Sequence, residues 1–394
     1  MLVVGGTYRE LCARPSRDEM FGSGLRAAAA VAALDPDVEL VSAIDADSKL
    51  AASIVAHEHG VRTRFVSRNE PVEFSYFTPL SSPSISGRLA RLAEPIEAVA
   101  NSALVFGMVE AGSINVKADR LVFDPQRPRE LTSLDLEGLT ADRTAIILNG
   151  IEASAVTGGK APPEAARSIA ELHRAEVVVV KRGAQGAVVY HEGTVTEVGV
   201  FPTVSVFPIG SGDAFAAGFA WAWMVKNVEP VLAARIGSLS AAIWCGTETL
   251  PLPPSVADLQ TDLVELPPKE VQVYLAGPFF TVAEEWLIQL ARDAIRATGS
   301  KVFSPLHDIG RHGDDIASRD LDGLRSSDSV LAMLDGADTG TWFEVGWARR
   351  EGKPVVAYCD PTAKKELVMA QGTGVEVVSD LPTAVYRSIW AGQR

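Results

Sequence analysis

Residues 207–224, FPIGSGDAFAAGFAWAWM, place two glycines and an aspartate directly before a long apolar segment. Gly210 and Gly212 allow the backbone to approach a ligand closely, and the free amides at a helix N-terminus attract phosphate oxygens. Asp213 could then take a proton from a hydroxyl that attacks such a phosphate. The same residues suit a tight turn in which Asp213 caps the helix, so this stretch alone leaves both interpretations open.

Strand-like and helical segments alternate before this stretch. The strand-like segments are residues 38–44, 103–106, 120–123, 145–148 and 176–181, and residues 164–174 are amphipathic. This alternation predicts a parallel sheet covered by helices. Residues 63–86 break the pattern with extended sequence, which predicts a small accessory sheet or lid.

A proline-rich connector divides the chain. Residues 250–270, LPLPPSVADLQTDLVELPPKE, contain five prolines and no sustained period, as is typical of an interdomain linker. After it, strand-like residues 271–276, 301–303, 329–334 and 354–358 alternate with helical ones. We predict an N-terminal α/β domain at 1–250, a linker at 251–270, and a smaller doubly wound, flavodoxin-like or Rossmann-like α/β domain at 271–394.

The composition excludes several classes of protein. At roughly 150 residues per domain, the length predicts two or three domains. With 394 residues, 47% of them hydrophobic, and a net charge of -14, the chain can bury a core and repels nucleic acid. The longest apolar run is too short to span a membrane, and no signal peptide is recognisable. Cys12, Cys245 and Cys359 form no disulfide or zinc pattern. We therefore expect a cytoplasmic protein.

The motifs before the linker, in chain order, resemble those of the ribokinase-like (PfkB) sugar and nucleoside kinases. Gly-Ser-Gly-Asp at 210–213 matches the family's Gly-x-Gly-Asp, and Asn-Gly-Ile-Glu at 149–152 matches its Asn-x-x-Glu. Residues 123–125 and the KRGAQGA segment at 181–187 lie where the family has a central strand end and a nucleotide loop. The resemblance implies a three-layer α/β/α fold with a possible β lid.

The same resemblance implies a kinase site that uses ATP and Mg²⁺. Asp213 would be the catalytic base, and Glu152 would lie in the outer shell of the magnesium ion. The residues expected to bind the nucleotide are Gly210, Ser211, Gly212, Asn149, Glu152, Gly183 and Gly186, and those expected to bind the sugar are Gly22 and Gly24.

Other positions depart from the kinase pattern. The family's N-terminal glycine signature carries an Asn that binds the sugar, whereas residues 22–30, GSGLRAAAA, contain none. An early Asp of the family is either replaced by Glu10 or missing. Phe207 replaces the Asp that supports a monovalent cation in the family, and Lys181 replaces a Thr beside the nucleotide. Whether phosphoryl transfer survives is left open by these differences.

The segment after the linker begins with VYLAGPFF at 273–280. Open α/β sheets bind ligands at such a turn, here Gly277 and Pro278, at the carboxyl end of a strand. Phe279 and Phe280 offer flat faces that could stack on a base. Carboxylates are concentrated further along, at Asp320, Asp322, Asp328, Asp335, Asp338 and Glu344.

Clustered carboxylates suit a reaction in which positive charge develops on a sugar ring. Structural alternatives exist for several of them. Thr341 and Glu344 have the spacing of a capping box, Asp335 fits a turn, and Asp328 fits a cap or turn before a strand. The residue types alone therefore leave Glu344 undecided between a catalytic and a capping role.

Residues 271 to about 360 resemble the nucleoside 2-deoxyribosyltransferase family. The resemblance implies that Glu344 is a covalent nucleophile, that Asp338 and Asp320 assist it, and that Tyr274 lies beside it. In that family the glutamate attacks C1′ of a deoxyribonucleoside, the base leaves, and another base or water resolves the intermediate. The first loop, Gly277 to Phe280, would bind the substrate and favours a nucleoside with a free 5′-hydroxyl.

Together these patterns predict a nucleoside-salvage enzyme with a kinase domain and an N-glycosyl-cleaving domain. Its ligands would be nucleosides, nucleobases or sugars, without nucleic-acid polymer or membrane, and it would form a homo-oligomer. No cofactor is expected for the C-terminal domain. Two alternatives remain: an N-terminal domain that is only a ligand-sensing or dimerising scaffold, and a regulated glycosidase that destroys a nucleotide such as NAD.

Overall fold

The structure is a computed structural model that describes residues 1–126, 133–311, 315–335, 338–360 and 367–394. The chain divides into two units. The first comprises Met1–Arg182, Gly186–Thr203 and Phe207–Val264, and the second comprises Gly183–Gln185, Val204–Val206 and Glu265–Arg394.

A nine-stranded sheet runs through the first unit. In chain order the elements of this unit are β1 (Leu2–Val4), β2 (Arg9–Cys12), β3 (Arg17–Met20), α1 (Gly22–Val31), β4 (Glu39–Ile44), α2 (Lys49–Glu58), β5 (Arg62–Ser67), β6 (Glu73–Tyr76), β7 (Ser84–Ser86), β8 (Ile96–Phe106), β9 (Ile114–Asp124), β10 (Leu139–Asn149), α3 (Gly150–Thr157), α4 (Pro162–His173), β11 (Val177–Lys181), β12 (Ala187–His191), β13 (Thr194–Val198), α5 (Ser211–Ala220) and α6 (Pro230–Thr247). The strand order is β13-β12-β11-β10-β9-β8-β1-β4-β5. Pairing is parallel except for β12, which is antiparallel to both β11 and β13.

Helices cover both faces of this sheet, as the alternating sequence pattern predicts. On one face α1, α5 and α6 pack in a core that includes Leu25, Phe215 and Leu239. On the other face α3 and α4 pack on β10 and β11 around Ile146 and Ile169. The strand Val177–Lys181 contains four consecutive valines that are all buried, as expected for a central parallel strand. The three-layer α/β/α prediction is confirmed.

A second, four-stranded sheet has the order β3-β2-β6-β7. The prediction that all of residues 63–86 form an accessory sheet is wrong in its first part, because Arg62–Ser67 pairs in parallel with β4 as an edge strand of the main sheet. Its residues alternate between exposed and buried only weakly, so their pattern did not distinguish an edge strand from a lid. Glu73–Tyr76 and Ser84–Ser86 do lie in the small sheet.

The second unit contains a five-stranded, all-parallel sheet of order β15-β14-β16-β17-β18. Its elements are β14 (Gln272–Ala276), α7 (Val282–Ala297), β15 (Lys301–Phe303), α8 (Pro305–Asp308), α9 (Ile316–Ser326), β16 (Ser329–Met333), α10 (Thr339–Arg350), β17 (Val355–Tyr358), α11 (Val368–Gly372), β18 (Glu376–Val378) and α12 (Leu381–Gln393). The sequence patterns predict four of these strands and miss Glu376–Val378, which has three half-buried residues. Strand order reverses between β14 and β16, the place where ligands bind in open α/β sheets.

Among the residues that the structure describes, no helix is long and apolar enough to cross a membrane.

Candidate functional sites

The turn before α5 is the first candidate site. Gly210 has a φ of 82°, in the left-handed region that favours glycine, and the helix begins at Ser211. Asp213 lies within the first turn of the helix and is not its cap, because Gly210 occupies that position without a side-chain hydrogen bond. The capping interpretation of Asp213 is therefore wrong. Its carboxylate is available for other contacts.

Both carboxylate oxygens of Asp213 accept hydrogen bonds. Arg26 Nη1 donates to Oδ2 at 3.0 Å, and Gln126 Nε2 donates to Oδ1 at 2.9 Å. Burial raises the pKa of Asp213, and the charge of Arg26 opposes that rise. The residue predicted to be a base is thus already bonded by two N–H donors of its own domain.

Arg26 projects from the alanine-rich helix α1 and has a side chain that is only 1% exposed. Its guanidinium also pairs with both carboxylate oxygens of Glu10, one of which accepts from the Gly22 amide at 3.1 Å. The rings of Phe21 and Trp244 lie 5.0 and 5.3 Å from the guanidinium carbon. Burial disfavours the charge of Arg26, but the two carboxylates outweigh burial and raise the pKa of its guanidinium.

A second ion pair lies at the carboxyl ends of β9, β10 and β11. Lys181 Nζ donates to Asp124 Oδ2 at 2.7 Å, and a Cβ at Gly212 would lie 3.2 Å from the same nitrogen. Burial raises the pKa of Glu152 to about 7, and the charge of Asp124 adds to that rise. Glu152 and Asn149 also form a reciprocal capping box at the start of α3. The family motif Asn-x-x-Glu therefore has a structural role as well.

These residues fit a nucleotide with its magnesium ion. Asp124 and Glu152 supply carboxylate oxygens, the ligand type that Mg²⁺ prefers, and the pKa of Glu152 is raised first by burial and then by the charge of Asp124. Among the described residues, no group of three or more His, Cys, Asp or Glu side chains could hold a metal ion by itself. Glu152 is therefore suited to an outer-shell position.

The remaining residues predicted for this domain lie in tight backbone arrangements. Gly22 has a φ of 70°, and a Cβ at Gly24 would lie 2.6 Å from the backbone of Gly5, so both glycines allow α1 to start against the N-terminal loop. Gly183 and Gly186 have φ values of 53° and 84°. Phe207 is buried, and the guanidinium carbon of Arg17 lies 5.5 Å from its ring centre.

The second candidate site joins three elements of the smaller unit. Tyr274 on β14, Asp320 on α9 and Glu344 on α10 meet, with the Tyr274 hydroxyl 2.6 Å from Asp320 Oδ1 and 2.9 Å from Glu344 Oε1. Tyr274 is fully buried and stacks on Phe303 with ring centres 5.7 Å apart. The structure thus brings together three of the four catalytic residues that the transferase resemblance implies for this domain.

The number of protons shared by Tyr274, Asp320 and Glu344 limits which of these side chains can be ionised. One phenol proton can serve only one of two carboxylates, so a second proton is needed to satisfy both contacts. Burial raises the pKa of Glu344 to about 9, and the hydrogen bond and charge of Asp320 raise it further than Tyr274 lowers it. Burial and the charge of Glu344 likewise raise the pKa of Tyr274. At neutral pH Glu344 is therefore protonated, and Tyr274 can donate to Asp320.

Asp338 has a different environment. It is the N-cap of α10, and its Oδ2 accepts from the Thr341 amide at 2.7 Å and from the Thr341 hydroxyl at 2.9 Å. Glu344 lies beyond the first turn of this helix and bonds Tyr274 instead. The capping-box interpretation of Thr341 and Glu344 is therefore wrong, because the helix begins two residues before Thr341.

The loop after β14 contains the residues predicted to bind substrate. A Cβ at Gly277 would lie 2.7 Å from Ile288 Cδ1 and 2.9 Å from Met333 Cβ, so a side chain there would require these two residues to shift. Pro278 is buried. The rings of Phe279 and Phe280 stack with centres 5.7 Å apart, and the Phe280 side chain is 70% exposed. An aromatic face at Phe280 is thus open to solvent.

Two residues of the first site were missed by the sequence analysis. Arg26 is a single charged residue in an alanine-rich segment. Because such a segment predicts a buried helix, a charged side chain within it indicates a buried ion pair. Gln126 has a φ of 52°, and nothing in its local sequence marks it.

Comparisons with known proteins agree with both motif sets. The family model described as pfkB family carbohydrate kinase matches residues 96–251, and the model described as nucleoside 2-deoxyribosyltransferase matches residues 273–378. A 2-dehydro-3-deoxygalactonokinase of Haloferax volcanii is 38% identical over 102 residues, which is 26% of this chain and 28% of that protein. A 5-dehydro-2-deoxygluconokinase of Bacillus anthracis is 35% identical over 72 residues, which is 18% of this chain and 21% of that protein. The chain thus spans about a quarter of the length of these curated relatives.

Solved structures resemble the fold. A protein described as a ribokinase from Agrobacterium tumefaciens has a TM-score of 0.50 at 15% identity, covering 66% of this chain and 96% of its own. Phosphofructokinase-2 from Escherichia coli has a TM-score of 0.48 at 14% identity, covering 66% and 97%. The chain thus matches, in this order, the pfkB carbohydrate kinase family over residues 96–251 and the nucleoside 2-deoxyribosyltransferase family over residues 273–378.

Proposed function

We propose that this protein is a nucleoside- and sugar-salvage enzyme whose C-terminal domain, residues 271–394, cleaves the N-glycosidic bond of a deoxyribonucleoside. The observation that carries this proposal is the contact of Glu344 with Tyr274, whose hydroxyl also lies 2.6 Å from Asp320. A buried carboxyl group positioned by a phenol is suited to nucleophilic attack on a sugar carbon.

The reaction proceeds by double displacement. The ionised Glu344 carboxylate attacks C1′, the C1′–N bond breaks, and the base leaves with the bonding electrons and takes up a proton from water. Asp320 accepts the hydrogen bond of the Tyr274 hydroxyl and so orients it. A second base or water then attacks C1′ and releases Glu344. Tyr274 holds the carboxylate in position, Asp338 fixes the start of its helix, and the Phe279 and Phe280 rings stack on the base.

For the N-terminal domain, residues 1–250, we propose ATP-dependent phosphorylation of a sugar or nucleoside. Asp213 takes the proton of the acceptor hydroxyl, whose oxygen attacks the terminal phosphorus while the bond to ADP breaks. Gly210, Ser211 and Gly212 hold the transferred group at the helix N-terminus, and Lys181, Asn149, Gly183 and Gly186 lie around the nucleotide. Glu152 would lie in the outer shell of a bound magnesium ion, which would supply positive charge to the phosphates.

One substitution tests the glycosidase proposal. Purified wild type and Glu344→Gln protein are incubated with a panel of deoxyribonucleosides, with and without acceptor bases, and free base is measured by chromatography. Because an amide cannot form the glycosyl ester, base release should fall by several orders of magnitude. Glu351→Gln, at the exposed end of the same helix, is the matched control and should keep wild-type activity. Near wild-type release by Glu344→Gln would contradict the proposal.

A second candidate has a specific observation in its favour. Since both oxygens of Asp213 are bonded to Arg26 and Gln126, the N-terminal domain could bind ligands without transferring phosphate and regulate the glycosidase. Adding ATP with a panel of sugars and nucleosides and measuring ADP separates the two candidates. Ligand binding without ADP formation would favour the scaffold.

A further inference from the structure

Arg26 has one donor that its carboxylate partners do not use. Its Nη atoms serve Glu10 and Asp213, whereas its Nε–H has no hydrogen-bond partner among the described residues and is fully buried. A buried donor without a partner costs stability and is rare in folded proteins. The site is therefore incomplete without a further acceptor atom.

The unused donor lies at the phosphate-binding turn. A Cβ at Gly210 would lie 2.4 Å from Arg26 Nε and 2.4 Å from Arg26 Cδ, so the guanidinium lies directly against this glycine. On the other side of the turn, a Cβ at Gly212 would lie 3.2 Å from Lys181 Nζ. The N-terminus of the ten-residue helix α5 thus has two cationic side chains close to it, the buried Arg26 and the partly buried Lys181.

We propose that Arg26 is an anion-binding residue of the N-terminal site that exchanges partners during the reaction. In the structure its Nη1 donates to Asp213 Oδ2 at 3.0 Å. When an anionic oxygen of the ligand reaches the Gly210 turn, the guanidinium donates to that oxygen and releases Asp213. The inference rests on the proposed role of Asp213 as a base. It adds that the arriving anion frees the Asp213 carboxylate from Arg26.

The anionic oxygen has two possible sources with the same chemistry. It belongs either to the transferred phosphoryl group of the nucleotide or to a carboxylate or phosphate on the acceptor. In both cases a ligand without that anion leaves the Arg26–Asp213 pair closed. Arginine suits such an exchange because its planar guanidinium can donate two parallel hydrogen bonds to two oxygens of one carboxylate or phosphate group.

The experiment uses the full chain and two pairs of ligands measured by titration calorimetry. AMP-PNP, a non-hydrolysable ATP analogue, is compared with ADP in magnesium, and gluconate is compared with 2-deoxyribose. The variant is Glu10→Gln combined with Arg26→Gln, which removes one negative and one positive charge, so the net charge of the buried cluster is unchanged. The matched control is Arg9→Gln. Arg9 lies on the same strand as Glu10, and its substitution removes an exposed ion pair with Asp18.

A phosphoryl source predicts that the wild type and the Arg9→Gln control bind AMP-PNP about tenfold or more tightly than ADP, and that the double variant loses this difference. An acceptor source predicts the corresponding preference for gluconate over 2-deoxyribose and its loss in the double variant. If neither preference exists in the wild type, or if the double variant keeps it, the inference is wrong. Should the double variant not fold, Arg26→Lys, which retains the charge but not the planar fork, replaces it and should show a reduced preference.

Failure of the kinase proposal gives a different result. If the wild type shows an anion preference in binding but forms no ADP with any acceptor, the domain binds anions without catalysis, and only the kinase assignment falls. If ADP forms with neutral acceptors and no anion preference is seen, the kinase assignment stands and the role of Arg26 is overturned.

Discussion

Glu344 has to lose a proton before it can attack a sugar carbon. Its raised pKa results from burial and from the neighbouring Asp320, whose charge penalises a second negative charge. Burial and Asp320 therefore favour the protonated form of Glu344, while the Tyr274 hydroxyl donates to Asp320.

This ionisation predicts the pH dependence of base release. Because the free enzyme reacts through ionised Glu344, kcat/KM should rise about tenfold per pH unit and level off near pH 9, the pKa of Glu344. Asp320→Asn removes the charge that raises this pKa, so the rising limb should move to lower pH even if the maximal rate falls. Initial rates across the pH range measure both profiles. An unshifted limb in Asp320→Asn would contradict the coupling.

The same group should make stability depend on pH. The pKa of Glu344 is higher in the folded chain than its ordinary value of 4.5, so folding takes up a proton between these two values. The contribution of Glu344 to the free energy of unfolding is therefore complete below about pH 4.5 and is lost as pH rises towards about 9. Glu344→Gln should remove this part of the pH dependence, as thermal unfolding at several pH values would show.

At the scale of the element, α10 combines a cap and a reactive group in one helix. Asp338 caps the first turn, and Glu344 projects from the helix towards β14. The position of Glu344 thus depends on where the helix begins, and Asp338 can act on the reaction through that position as well as by direct contact with substrate.

Substitutions of Asp338 separate these two roles. Asn preserves the cap, because its side-chain oxygen can still accept from the Thr341 amide, whereas Ala should cost about 1 kcal/mol of unfolding free energy. If Asp338 is only a positioning residue, Asp338→Asn should keep both stability and base release near wild type. Chemical denaturation and the base-release assay are run on the same samples. A stable but inactive Asn variant would instead favour a catalytic carboxylate at this position.

At the scale of the whole molecule, the polar side chains of the two proposed sites lie in separate units of the chain, although Gly183, proposed to lie near the nucleotide, belongs to the second unit. Asp213, Arg26 and Lys181 belong to the first unit, and Tyr274, Asp320 and Glu344 belong to the second. Among the described residues, the side chains of each set form their hydrogen bonds and ion pairs without a residue of the other set. The chemistry of one site therefore does not require a side chain of the other.

This separation predicts independent loss of the two activities. Asp213→Asn should abolish ATP-dependent phosphorylation and leave base release near wild type, and Glu344→Gln should do the reverse. Both assays are run on both variants, with circular dichroism as the check on folding. If either substitution removed both activities in folded protein, the two sites would be coupled.

The sequence by itself was sufficient to predict the two α/β domains and most of the carboxylates of the candidate sites. Runs such as the valines of residues 177–180 mark central strands because burial on both faces leaves no polar positions. Motif spacing predicted Asp213, Tyr274, Asp320 and Glu344, since family chemistry depends on residue types at fixed positions. The edge strand Arg62–Ser67 was misassigned because pairing on one side leaves a weak pattern.

Only the tertiary structure decided what those residues contact. Arg26 and Asp213 are 187 positions apart and Tyr274 and Glu344 are 70 apart, so no local pattern links them. The raised pKa of Glu344 and the ion pair of Asp213 with Arg26 both depend on distances of about 3 Å between side chains on different elements. Residue types specify which groups are present, whereas packing of the elements sets which charges meet and therefore which protons they hold.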